Sequence, residues 1–169
     1  NTFTFDNNVA IGNAVDNFFF SYSAANIIFN ITNSIFIGGT YGIRTWSNNV
    51  VAYTATQNIS TCVIAFCTYG MYMHSANNMT HEYSHNTIYG CIQGFTLSAS
   101  VTGQVHNIRD NIIAYCCRAV AMSSFNAGTV NAYNTLFDSN GVIKLGTGTA
   151  VWNQDASCVT SGASAIVRP

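Results

Sequence analysis

Asn86-Thr-Ile-Tyr-Gly-Cys-Ile-Gln-Gly94-Phe-Thr-Leu-Ser98 is answered 25 residues later by Asn111-Ile-Ile-Ala-Tyr-Cys-Cys-Arg-Ala119-Val-Ala-Met-Ser123. In both stretches an asparagine stands two residues before an aliphatic side chain. Seven to nine residues after the asparagine comes a small residue and then an apolar one. Working outward, the pattern returns as Asn33-Ser-Ile35 with Gly42-Ile43 and as Asn134-Thr-Leu136 with Gly141-Val142. Looser copies begin at Asn8, with Asn17-Phe18 in the glycine place, and at Thr61, with Val63 and Gly70-Met71. The starts at 8, 33, 61, 86, 111 and 134 are 25, 28, 25, 25 and 23 residues apart. A period in the twenties makes each repeat one turn of a solenoid.

Residue types choose among solenoids of this period. A leucine-rich repeat needs several leucines per turn, and the chain has only Leu97, Leu136 and Leu145. Helical repeats draw on Ala, Leu, Glu and Lys, and Glu82 is the one glutamate. What remains alternates with period two after each small residue: Phe18/Phe20, Ile43/Thr45, Met71/Met73, Phe95/Leu97, Val120/Met122. Short alternating runs bounded by Gly, Asn and Ser read as strands. About three such strands per period predict an all-β parallel β-helix of about six rungs, stacked about 4.8 Å apart. Asn8, Asn33, Asn86, Asn111 and Asn134 are then expected to form a structural ladder. Asparagine tolerates the left-handed turn between strands, and stacked amides hydrogen-bond along the axis.

The asparagine column and the Asn-x-Ile…Gly-apolar rung resemble the right-handed parallel β-helix, or pectin-lyase-like, family over roughly residues 7–146. The resemblance implies architecture more than activity, because this fold carries lyases, hydrolases, spikes and adhesins. The motifs of its polysaccharide-degrading members are missing. No Asn-Thr-Asp, Asp-Asp or Gly-His-Gly occurs, and the five aspartates are scattered singly rather than clustered for calcium.

Composition narrows the classes further. A length of 169 residues suits one domain, 1–169, with 147–169 expected as an irregular last rung or extension. Only 7% of residues are charged, yet aromatics reach 13%, which argues for a folded core rather than disorder. A net charge of -1 gives no footprint for nucleic acid. The apolar runs from Cys62 to Cys67 and from Ile112 to Cys117 are too short to span a bilayer. Starting in mid-pattern at Asn1, the chain reads as a processed product or a piece of a longer protein.

Three sets of residues could carry chemistry. Cys67, Cys91 and Cys116 each lie three residues before the small residue of their rung, which predicts a vertical stack. Stacked Cα atoms on parallel strands share one orientation, which suits disulfides poorly, and no Cys-x-x-Cys supports zinc. An inward column of reduced thiols is therefore the expectation, with disulfides the alternative. Next, His81-Glu-Tyr-Ser-His85 matches the H-E-x-x-H metalloprotease pattern, but that pattern needs a helix. On a strand its two histidines would stand about 13 Å apart. No metal or cofactor is expected.

Counting back from Asn86 and Asn111 places His81 over His106, Glu82 over Asn107, Ser84 over Arg109 and His85 over Asp110. Such a patch, expected on one outer face, would hold a base and an arginine as a lyase or hydrolase requires. The candidate catalytic set is therefore His81, His85, His106, Arg109 and Asp110. The plainer reading is a solvated face of weak ion pairs.

Phe19, Tyr72 and Tyr89 are candidate outer aromatics, suited to sugar rings or to a neighbouring chain. Sequons at Asn30, Asn58 and Asn78 are about as frequent as chance allows in a chain so rich in Asn, Ser and Thr. These features together point to a structural or adhesive segment of an extracellular, cell-surface or virion-surface protein that contacts polysaccharide or glycan. Its open ends would be covered by other segments or by further copies. A polysaccharide lyase or glycoside hydrolase and a non-catalytic carbohydrate-binding module are the alternatives.

Overall fold

The computed structural model describes residues 2–21, 27–47, 55–75, 79–99, 103–122, 128–146 and 150–161. The rung beginning at Met79 shows how local sequence makes the shape. Met79–Ser84 is a strand in which Met79, His81 and Tyr83 are buried and the residues between them are not. His85 then enters the left-handed region (φ 57), which turns the chain, and Asn86 points inward. A three-residue strand, Thr87–Tyr89, buries only Ile88. Gly90 (φ 62) makes the second left-handed turn, Cys91 points inward, and Gln93–Ala99 completes the circuit.

Repetition of this circuit gives three parallel sheets. Sheet A stacks seven strands of the Met79–Ser84 kind, sheet B seven of the Thr87–Tyr89 kind, and sheet C six of the Gln93–Ala99 kind. The chain is thus an all-β parallel β-solenoid of about five turns. Within the segment expected to be irregular, Val151–Gln154 and Val159–Ser161 continue sheets A and B.

The core is one column-built interior. Ile31, Ile59, Tyr83, Ile108 and Ala132 stack beneath sheet A, and Phe36, Ile64, Ile88, Ile113 and Phe137 beneath sheet B. Gly42, Gly70 and Gly94 stack where sheet C enters the turn; a Cβ on Gly70 would stand 2.6 Å from the Gly94 carbonyl oxygen. Ala119 and then Ile143 continue this column, so Gly141 lies outside the place expected for it.

The asparagine column resolves into two adjacent ones. Asn7, Asn33, Thr61, His85, Asp110 and Asn134 occupy the left-handed position. Asn8, Ser34, Cys62, Asn86, Asn111 and Thr135 follow them, and all but the half-buried Asn8 are buried. The expected ladder therefore slips by one residue at Asn33, Thr61 and Asn134. Asn86 and Asn111 do stack: Asn111 Oδ1 accepts from Asn86 N (2.9 Å) and Asn86 Nδ2 (3.1 Å), and Asn86 Oδ1 accepts from Cys62 N (3.0 Å). Asn111 Nδ2 donates to the carbonyls of Tyr83 and Arg109.

A further amide ladder runs on the outside of sheet A. Asn58 donates to Asn30, Asn107 to Glu82, Asn131 to Asn107, and Asn153 to Asn131.

Candidate functional site

The rung register expected for the histidine region is the one observed: His81 opposite His106, Glu82 opposite Asn107, Ser84 opposite Arg109. His85 N donates to Arg109 O, which carries the match into the turn. The facing of two side chains differs from expectation. His81 and His106 alternate in phase with Tyr83 and Ile108 and so point inward, 0% and 1% exposed. Their rings stack 4.2 Å apart with planes 4° from parallel. His81 Nδ1 lies 2.7 Å from Gln57 Oε1, and the Tyr83 hydroxyl lies 3.0 Å from His106 Nδ1. Burial pushes His81 down to about 3 and His106 well below its ordinary value, the latter helped by the neighbouring His81. Neither ring can touch a substrate.

What remains outside is a smaller set. Arg109 Nη2 lies 3.5 Å from Glu82 Oε2, and His85 Nε2 lies 3.9 Å from Asp110 Oδ2. Asn107 donates to Glu82 Oε1 at 2.5 Å, and Asn134 donates to Asp110 Oδ1 at 2.6 Å. The next rung adds an exposed ring that sequence reading passed over, because Tyr133 is the register partner of Arg109. Glu82, Asn107, Arg109, Asp110 and Tyr133 line one open depression of about 340 Å³. That volume sits at the lower end of ligand sites. Sheet A and its left-handed turns draw the set from three successive rungs: Glu82 from one, Asn107, Arg109 and Asp110 from the next, and Tyr133 from the third.

The aromatic candidates do not converge. Phe19 and Tyr72 share one outer column of sheet C with Arg44 between them. The Arg44 guanidinium lies over Phe19 (4.4 Å) and Tyr41 (4.6 Å) and pairs with Asp16 at 2.6 Å. Tyr72 is half-buried against the edges of Tyr41 and Tyr69. Tyr89 stands on a different face, between Phe66 and Tyr115.

All six cysteines are free thiols. Cys67, Cys91 and Cys116 are buried in successive inward turn positions, each thiol 3.4–3.6 Å from the carbonyl two residues before it. Hydrogen bonding to Cys91 and burial raise the pKa of both Cys67 and Cys116, and burial pushes Cys62 up to about 11. Cys117 is exposed. Among the described residues no group of three or more His, Cys, Asp or Glu could hold a metal.

Asn30 and Asn58 belong to the outer amide ladder, so their sequons arise from a ladder position followed by a core residue and a polar one. Asn78 lies outside the described residues.

The chain matches no protein-family model, and the searches of curated proteins and of solved structures returned no match.

Proposed function

We propose that this chain is a structural or adhesive β-helix segment of the pectin-lyase-like kind, from an extracellular, cell-surface or virion-surface protein, and that it contacts carbohydrate. The observation that carries this reading is the depression on sheet A. An exposed tyrosine ring there stands beside a guanidinium, an amide and two carboxylates, the groups that stack on sugar rings and bond their hydroxyls. Binding is favoured over chemistry because each carboxylate already accepts a short bond from an asparagine. Two of the three candidate histidines are sealed inside.

The placement of Glu82 and Asp110 in one depression favours a second reading, a glycoside hydrolase or lyase using that pair. An array of neutral, amino and uronic oligosaccharides probed with the purified chain tests the first reading. Binding that weakens at least tenfold in Tyr133→Ala and Arg109→Ala, with no loss of intact glycan over time, supports it. No binding to any class refutes it. Glycan depletion that stops in Glu82→Gln selects the enzyme.

A further inference from the structure

Seven of the sixteen exposed large hydrophobics among the described residues project from one narrow sheet. Val9, Ile35, Val63, Ile112 and Val159, from 37% (Ile35) to 64% (Val9) exposed, share one outward column on sheet B with the half-buried Thr87 and Leu136. The corner beside that column carries a ridge of rings: Phe66 against Tyr89 at 5.6 Å and Tyr89 against Tyr115 at 5.2 Å. Charge is nearly missing from the plane itself. Asp138 is its one charged outward residue at neutral pH and accepts from Ser139 and Ser161. His85 and Asp110 lie at the turn that borders it, where they would form a polar rim.

We propose that sheet B is the interface through which two copies of this chain associate side by side about a two-fold axis. Three features of the face select a second copy over other occupants. Asp138 is the one charge on the face and lies toward one end of it, so two copies running in opposite directions about a two-fold axis keep their Asp138 carboxylates apart and avoid like-charge repulsion. The face is regular, because its three-residue strands pair in register from Val9–Ile11 to Val159–Ser161. A partner sheet with the same rung spacing can set its side-chain rows between these along the whole length, as packed sheets do.

Size supplies the third feature. Six rung intervals of about 4.8 Å make a stripe about 29 Å long. With the ring-bearing corner, that is roughly 500 Å² per copy, the size of the largest, often functional, patch of a monomer and near the ~1,000 Å² total of the smallest specific interfaces. The association is accordingly a reversible dimer rather than an obligate one. Tyr89, which makes no contribution to the depression on sheet A, acquires a role here.

Sedimentation velocity over a dilution series tests the proposal on the full chain. The wild type should pass from monomer to dimer as concentration rises through the micromolar range. Val63→Lys/Ile112→Lys changes only exposed positions and should remain monomeric at every concentration, with the circular dichroism and melting of the wild type. Ile28→Lys, on the outer face of sheet A, should dimerise as the wild type does. A monomeric wild type throughout the series overturns the proposal, and so does a dimer that survives the double lysine variant or is lost in Ile28→Lys. Glycan binding by the monomeric double variant is a separate readout, so failure of the interface is distinguishable from failure of the sheet A site.

Discussion

Acidification should unfold this protein through two histidines that the fold holds neutral. His81 and His106 are stacked in the interior, and the folded chain binds a proton at His81 only near pH 3. The unfolded chain binds one at each near pH 6.5. Because the folded values are depressed, the full stability is present above about pH 6.5 and is lost as pH falls from there toward about 3. Each pH unit in that window costs about 1.4 kcal/mol through His81. At pH 4.5 the loss from His81 alone is about 2.7 kcal/mol, a large part of the stability of many domains, and His106, held well below its ordinary value by burial, adds to it in the same direction. Asp6 and Asp155 contribute only below about pH 4, since hydrogen bonds hold both below the ordinary carboxylate value. Urea unfolding between pH 7.5 and 4.5 should therefore show stability falling with a limiting slope near two protons. In His81→Gln/His106→Gln, which extends the column begun by Gln57, that slope should largely vanish. An unchanged slope in the double variant, or a flat wild-type profile, would refute the buried stack.

Three further outcomes follow from the packing. Asn111→Leu should destabilise the fold by about 3 kcal/mol, because it strips partners from the Asn86 amides and two carbonyls. Asn134→Leu, exposed on the left-handed column, should cost about 1 kcal/mol; equal losses in urea titrations would contradict the two-column arrangement. Gly70→Ala should cost about 2 kcal/mol, since its Cβ meets the Gly94 carbonyl, and a wild-type melting curve would disprove that close approach. Alkylation of the native protein should label Cys117 and spare Cys67, Cys91 and Cys116. Denaturation without reductant should then expose those three, whereas labelling that requires reductant would reveal disulfides.

The architecture was legible because solenoid spacing is written into the chain at every turn, and the strand register around Asn86 and Asn111 followed directly from it. The one-residue slips at Asn33 and Asn134 have a physical cause. Asparagine suits both neighbouring turn positions, the left-handed one and the inward one that caps backbone amides, so an asparagine alone does not say which it fills. Neighbouring residues do say: an inward residue is followed two positions later by the buried member of sheet B, as Ser34 is by Phe36.

His81 and His106 were expected outside on polarity alone. Their alternation with Tyr83 and Ile108 carried the opposite and correct signal. The outer ladder was also visible, as Asn30-Ile-Thr, Asn58-Ile-Ser and Asn107-Ile-Arg, but two of these were read as sequons. Tyr133 could have been found by carrying the register one rung past Arg109. The depression itself could not, because depth depends on how the turns flare and not on residue spacing.

The central claim is that three successive rungs bring Glu82, Asn107, Arg109, Asp110 and Tyr133 to one carbohydrate-contacting surface. Amide NMR during titration with a bound oligosaccharide tests it most directly. The backbone signals of those five residues, drawn from segments about 25 residues apart, should shift together and saturate at one ligand concentration, while Phe19 and Tyr72 stay still. Shifts confined to the Phe19–Tyr72 face, or a spectrum unmoved by neutral, amino and uronic oligosaccharides alike, would contradict it.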